Sequence, residues 1–365
     1  MTTTRPPGNP SYRDELNEVP NALLKLSVMA NSENRWPVND IAKLLAPHGT
    51  FSVYGMASSQ WAAWPMVSII RDHTPFWVEW GSSYDGLVQH INGFANRRPT
   101  ILVSQSGRTV ETCDLARNLK STDASIPLVA VTNNLGSPLA RIADTVLDIG
   151  AGAEMHAPTK SYVNTVATLL VLADALQQIG TFRMNRTSST LASIAGILPT
   201  YLSSSDAWAS DVMAATEDGL RSNYLYFLAG GAQLGSAWQS SMLYAETARH
   251  RSAVADWATF RHGFEPQVDA GFLGIGFEPP PRENRQTKQV PDVVMAVASS
   301  IAHRRGTIRM VPQLDAGRDA NHLLSTEYWR PLWETLPVHH LCMRLATAKG
   351  LDAGEIERKV TEDYV

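Results

Sequence analysis

The run Thr100-Ile101-Leu102-Val103 shows no polar alternation and passes directly into Ser104-Gln105-Ser106-Gly107-Arg108-Thr109, after which residues 110–120 take a helical pattern. An apolar strand of this kind is covered on both faces, and such strands belong to parallel sheets flanked by helices. Ligands of open parallel sheets bind beyond the carboxyl ends of the strands. This one segment therefore predicts an α/β fold and a place for a site. The alternation continues around it. Strands are predicted at 51–54, 76–80, 100–103, 127–132 and 145–149, with helices at 59–71, 110–120 and 162–179. After a boundary near residues 183–205 the pattern starts again, with strands at 224–229, 272–277, 293–297 and 307–311 and helices at 234–250 and 332–348. Two α/β units in tandem follow, an internal duplication rather than a short-period solenoid.

The expected domains are an N-terminal arm and helix (1–35), a first unit (36–190), a second unit (200–348) and a tail (349–365). Residues 1–20 read as a polar, Pro-rich arm, followed by an amphipathic helix over 18–32. The chain has 365 residues, which suits two units of ordinary size. Thirty-one basic against 35 acidic side chains leave a net charge of −4, without the basic excess that nucleic acid or an anionic membrane demands. The first residues carry no apolar signal core, and no apolar run approaches a membrane span. Cys113 and Cys342 sit in apolar-periodic stretches and read as buried free thiols in a reducing compartment, so the cytoplasm is expected. The ten histidines show no metal-ligand grouping, and neither metal nor cofactor is implied.

At residues 104–109, a helix start offers unpaired backbone N–H groups and the positive end of a dipole, and three hydroxyls and a glycine add donors and close approach. A phosphate fits such a cradle. The same residues also suit an ordinary capping turn.

Ser104-Gln105-Ser106-Gly107-x-Thr109 resembles the phosphate loop of the SIS (sugar isomerase) family, which includes the isomerase half of glutamine–fructose-6-phosphate aminotransferase and the fructosamine-6-phosphate deglycases. The resemblance continues in order. Gly55-Met56-Ala57-Ser58-Ser59 is similar to the family's first strand-loop, and Ala151-Gly152-Ala153-Glu154 with Thr159-Lys160-Ser161-Tyr162 to its next landmark. Gly230-Gly231-Ala232-Gln233, Arg261-His262-Gly263 and the tail around Lys359-Val360-Thr361 complete it, over roughly residues 50 to 361. The resemblance implies two tandem SIS domains, each a flavodoxin-like three-layer sandwich. It implies an anion site of Ser58, Ser59, Ser104, Gln105, Ser106, Arg108 and Thr109, with Glu154, His156 and Ala157 against the sugar. It also implies a homodimer or higher oligomer with a shared active site and a small anionic sugar as ligand.

Glu246 and His262 lie sixteen residues apart, the spacing of the family's acid/base pair. Moving a carbonyl between C1 and C2 of an open-chain sugar needs a base for the carbon-bound proton and a second group for hydroxyl protons, tasks that suit a carboxylate and an imidazole. Lys359 matches the tail lysine that forms an imine with the ketose; the plain alternative is a solvated lysine in a frayed tail. Without the resemblance, Glu246 and His262 read as a surface helix residue and a loop histidine. The ten tryptophans, Trp61, Trp64, Trp238 and Trp257 among them, suit either an interface or ordinary core packing.

Departures steer the choice of reaction. Leu243 stands where the aminotransferase isomerase carries a lysine, Arg108 replaces the loop glutamate, and His156 and Pro158 replace small or branched residues. The first strand begins by residue 51, so a preceding glutaminase domain, and with it glutamine-dependent amination, is not expected. A fructosamine-6-phosphate deglycase is the leading expectation. The alternatives are an aldose–ketose isomerase of a phosphorylated or sulfonated sugar, an amino-sugar-phosphate deaminase, and, in another class, a non-catalytic sugar-phosphate sensor.

Overall fold

The computed structural model describes residues 10–30, 36–91, 97–179, 184–215, 225–278, 289–314 and 329–355. Two parallel sheets flanked by helices make up an α/β fold. In the first, β1 (Thr50–Gly55), β2 (Trp77–Ser82), β3 (Thr100–Val103), β4 (Leu128–Thr132) and β5 (Thr145–Asp148) lie in the order β2-β1-β3-β4-β5, every pair parallel. In the second, β6 (Leu225–Ala229), β7 (Ser252–Asp256), β8 (Leu273–Gly276) and β9 (Thr307–Met310) lie in the order β7-β6-β8-β9, again parallel.

Successive residues of a strand face opposite sides of its sheet, and here both sides are apolar. Ile101 and Val103 of β3 enter one buried cluster with Val129 and Val131 of β4, while Leu102, Leu128 and Ala130 enter another with Cys113 and Leu115. The second sheet repeats this: Leu225, Phe227 and Ala229 face the first cluster, and Tyr226 and Leu228 face a third. The first cluster thus belongs to both units. It is filled by α4 (Ser58–His73), α8 (Lys160–Gln177), α9 (Met184–Ala215) and α10 (Leu234–Ala248). Each fully buried Leu, Ile or Val there contributes about 1.5–3 kcal/mol. The central helix α8 buries all but one residue from Lys160 to Leu176.

Three sequence expectations change. Residues 293–297 are not a strand but part of the helix α12 (Gln289–His303). Val293, Val294, Val297 and Ile301 recur at helical spacing, and Val297 and Ile301 are buried on the third cluster, so the period outweighs the β-branched composition. Strand β7 was not expected; its Ser-Ala-Val-Ala-Asp sequence is small and half-exposed, as a sheet edge permits. The region of the expected boundary, residues 183–205, is largely occupied by the helix α9. Residues 12–17, read within an arm, form α1 (Tyr12–Asn17), with Tyr12, Glu15 and Leu16 buried. Ser11 caps it, accepting from the Asp14 amide while the Asp14 carboxylate accepts from the Ser11 amide. The helix α2 (Val19–Ala30) follows directly. Among the described residues the remaining α-helices are α3 (Val38–Leu45), α5 (Ser83–Ile91), α6 (Val110–Thr122), α7 (Pro138–Ile142), α11 (Trp257–Thr259) and α13 (Leu336–Ala348).

Candidate active site

The strand order β2-β1-β3-β4-β5 reverses direction between β1 and β3, the kind of switch point at which open parallel sheets bind ligands. Two helices begin there. Ala57 precedes α4 with φ 49° and ψ −123°, a strained conformation for a residue with a Cβ, and no side chain caps the helix. Thr109 precedes α6, likewise without a side-chain cap. At the α4 start the Ser59 amide donates to Met56 O at 3.0 Å; helix starts that no side chain caps suit an anion.

The loop between β3 and α6 is held by its own bonds. Ser104 Oγ lies 2.9 Å from Thr109 Oγ1 and accepts from the Gly107 amide at 3.2 Å. Ser106 Oγ accepts from the Arg108 amide at 3.2 Å. Gly107 has φ +62°, and a Cβ there would lie 2.0 Å from Ser137 Oγ, so only glycine fits. Ser58, Ser59, Gln105, Ser106 and Thr109 are partly exposed, Ser104 is buried, and Arg108 stands in solvent. The loop is tied onward through Asn133, whose amide donates to Gln105 O at 3.0 Å. The Asn133 side chain accepts from the Ala151 amide at 2.9 Å and donates to Gly152 O at 2.7 Å.

Glu154 follows in the loop after β5. Its Oε1 accepts from the Thr159 amide and hydroxyl at 2.9 and 2.7 Å, and its Oε2 accepts from the Ser161 hydroxyl. A carboxylate thus occupies the start of α8, whereas no side chain caps the starts of α4 and α6. Burial raises the Glu154 pKa against these hydrogen bonds. The ring of His156 is engaged on both sides, Nδ1 at 3.0 Å from Gly354 O and Nε2 at 3.2 Å from Pro10 O. Ala157 is fully buried.

Glu246 lies on the last turn of α10, half-buried, with its Oε2 shielded from solvent. Several contacts tie this end of α10 to residues 349–355. Lys349 Nζ donates to Ala248 O at 3.1 Å, Arg249 reaches Glu355 O at 3.5 Å, and the neighbouring Gly354 O faces His156. Tyr12, edge-on to His156, feels the charges of both Glu154 and Glu246; burial first, and then these and other anionic neighbours, hold its pKa well above the usual value. Leu243, one turn before Glu246, is buried in the common core, so no cation stands at that position. His262 is exposed on the turn at 260–264 that follows β7 and α11. Lys359 lies outside the described residues.

At the corresponding switch point of the second sheet, the segments after β6 and β8 are joined. Gln233 Nε2 donates to Glu278 O and to Glu334 Oε1, both at 2.6 Å, and Ser236 Oγ donates to Glu334 Oε2 at 3.0 Å. Burial pushes the Glu334 carboxyl up to about 7, with the Gln233 bond, the Arg330 charge and the Ser236 bond opposing. Sequence reasoning missed Glu334, and nothing in the local pattern around Trp333-Glu334-Thr335 marks it. Among the described residues no group of three or more His, Cys, Asp and Glu could hold a metal, and no helix is long and apolar enough to cross a membrane.

Residues 44–175 match the SIS domain. The SIS match covers that segment of a fold built on two parallel sheets, and the chain is similar in sequence to isomerizing glutamine–fructose-6-phosphate aminotransferases. It is 26% identical over 262 residues to the isomerizing glutamine–fructose-6-phosphate aminotransferase of Pyrobaculum aerophilum, covering 69% of this chain and 41% of that protein. It spans less than half the length of such relatives. Among solved structures, the C-terminal domain of glucosamine–fructose-6-phosphate aminotransferase from Francisella tularensis superimposes with TM-score 0.76 at 15% identity, covering 95% of this chain and 99% of that one. Glucosamine-6-phosphate deaminase from Thermotoga maritima gives TM-score 0.72 at 18% identity, covering 94% and 96%.

Proposed function

We propose that the chain is a sugar-phosphate enzyme of the isomerase type, and within that class a fructosamine-6-phosphate deglycase. The observation that carries the class is the switch point between β1 and β3. There two helices begin without side-chain caps beside a loop of hydroxyls that only a glycine at 107 allows. The phosphate of the substrate would accept from Ser58, Ser59, Ser104, Gln105, Ser106 and Thr109, and Arg108 would add charge at the rim. Charge-assisted bonds of this kind contribute about 1.5–3 kcal/mol each.

In this reading Glu246 removes a proton from C1 of the open-chain ketoamine, giving a 1,2-enaminol. Return of a proton at C2 produces an imine at C1. Water adds to that imine, and the C–N bond breaks to release the amine and glucose 6-phosphate. His262, exposed on its turn, would reach the site of a second copy and move hydroxyl protons there, which makes the enzyme at least a homodimer. Buried Leu243 in place of a lysine supports a deglycase over an aminotransferase-type isomerase. Lys359 is the candidate for an imine with C2 of a ketose.

The test is incubation of the purified protein with a panel of 6-phosphofructosyl amino acids, following glucose 6-phosphate and free amine. Stoichiometric release of both is expected. Interconversion of fructose and glucose 6-phosphates without amine release would assign a plain isomerase instead. Binding without any turnover would assign a sensor.

A further inference from the structure

The loop that follows β5 is gripped from outside its own unit. Glu15, on α1, is fully buried, and its two carboxylate oxygens accept from consecutive backbone amides, Oε1 from Met155 at 2.7 Å and Oε2 from His156 at 3.2 Å. One turn later Glu18 pairs with Lys160, at the start of α8. On the other side of the loop Asn133 binds Ala151 and Gly152 and connects them to Gln105 of the anion loop. The segment from Ala151 to Lys160 is therefore suspended between Asn133 and the acidic face of α1 and its successor, with Glu154 turned inward onto Thr159 and Ser161.

We propose that Glu15 is a positioning residue, which fixes the Met155–His156 backbone so that the loop presents itself to the sugar while the phosphate is held elsewhere. The proposal rests on the sugar-phosphate reading above. A carboxylate is the one side-chain group that can accept from two adjacent amides through two oxygens. An amide of the same shape keeps one acceptor and turns its NH2 toward the other N–H. A buried amide left facing a donor loses its partner, and the loop moves to find one. Glu15 acts through the backbone and touches no substrate atom. Its removal should leave phosphate affinity intact and weaken only what the sugar contributes.

The experiment compares the full chain with its Glu15→Gln and Glu15→Asp variants. Amide hydrogen exchange over residues 151–158 reads the anchor, and titration calorimetry with inorganic phosphate and with fructose 6-phosphate reads the site. For Glu15→Gln the expectation is exchange at Met155 and His156 at least tenfold faster. Phosphate affinity should stay within twofold and fructose 6-phosphate affinity should fall at least tenfold, with Glu15→Asp lying between. Unchanged exchange overturns the anchor. Equal loss of both ligands also overturns it, since Glu15 would then act on the fold as a whole. If the unmodified chain binds fructose 6-phosphate no better than phosphate, the sugar-phosphate reading fails, and Glu15's role in that site falls with it. The exchange data still report whether the anchor exists.

Discussion

Asn133 and Ala151 are joined by a 2.9 Å hydrogen bond from the Ala151 amide to Asn133 Oδ1, and this bond connects two loops that arise from different strands. Asn133 leaves β4, Ala151 lies just beyond β5, and through its own backbone Asn133 also holds Gln105. The 104–109 loop and the Glu154 loop are thus one connected framework. Asn133→Ala removes both side-chain bonds and leaves the buried Ala151 amide unsatisfied. The expected cost is about 1–3 kcal/mol of stability, read by urea denaturation, together with several-fold weaker binding of phosphate. A variant with unchanged midpoint and phosphate affinity would show that the two loops stand independently.

Gly107 supplies the sharpest steric prediction. A Cβ at φ +62° costs about 1–2 kcal/mol in backbone strain, and this one would also collide with Ser137. Gly107→Ala should lower stability by about 2–4 kcal/mol and abolish phosphate binding in calorimetry. Retained binding would mean that the loop is not the anion cradle.

The legible and illegible parts of this chain divide along physical lines. The strand at 100–103 and the loop at 104–109 were readable because an unalternating apolar run followed by hydroxyls and a glycine has few other uses. The core strands β1, β4, β6 and β8 were found for the same reason. Strand β7, at a sheet edge and built of small residues, gives almost no periodic signal. Helix α1 is too short for a periodic stripe, yet its capping box, Ser11-x-x-Asp14, was present in the sequence and could have marked it. Glu15 and Glu334 were not legible, because their partners come from chain segments more than 50 residues away, as with Met155 and Gln233.

Glu334 predicts a pH dependence. Its carboxyl titrates near 7 when folded against an ordinary 4.5, so the folded state holds the proton more tightly. Its stabilising contribution is fully present below about pH 4.5 and is lost as pH rises through 7. Glu334→Gln keeps the shape and cannot ionise. The stability difference, variant minus native, should rise by up to about 3 kcal/mol between pH 5 and 8, followed by thermal or urea unfolding at each pH. A difference that stays flat would mean Glu334 is not held protonated by its burial.

Tyr12 and His339 give a prediction of opposite sign in pH. The Tyr12 hydroxyl lies 2.6 Å from His339 Nδ1, and burial, with a smaller contribution from His340, pushes the His339 ring down to about 3. The neutral ring is favoured in the folded state. Its contribution is present above about pH 6.5 and is lost as pH falls toward 3. Tyr12→Phe leaves Nδ1 buried without its partner and should cost about 1–3 kcal/mol at pH 7. A cost near zero would place that hydrogen bond outside the energetics of α1 docking.

The central claim is that an anionic sugar is held at the 104–109 loop while Glu246 moves a carbon-bound proton. Proton NMR of fructose 6-phosphate and glucose 6-phosphate incubated with the protein in D2O tests it directly. The account predicts deuterium incorporation at C1 of the ketose or C2 of the aldose, abolished by Glu246→Gln while phosphate binding persists. Binding of both sugars with no deuterium incorporated, or incorporation undiminished by Glu246→Gln, would contradict it.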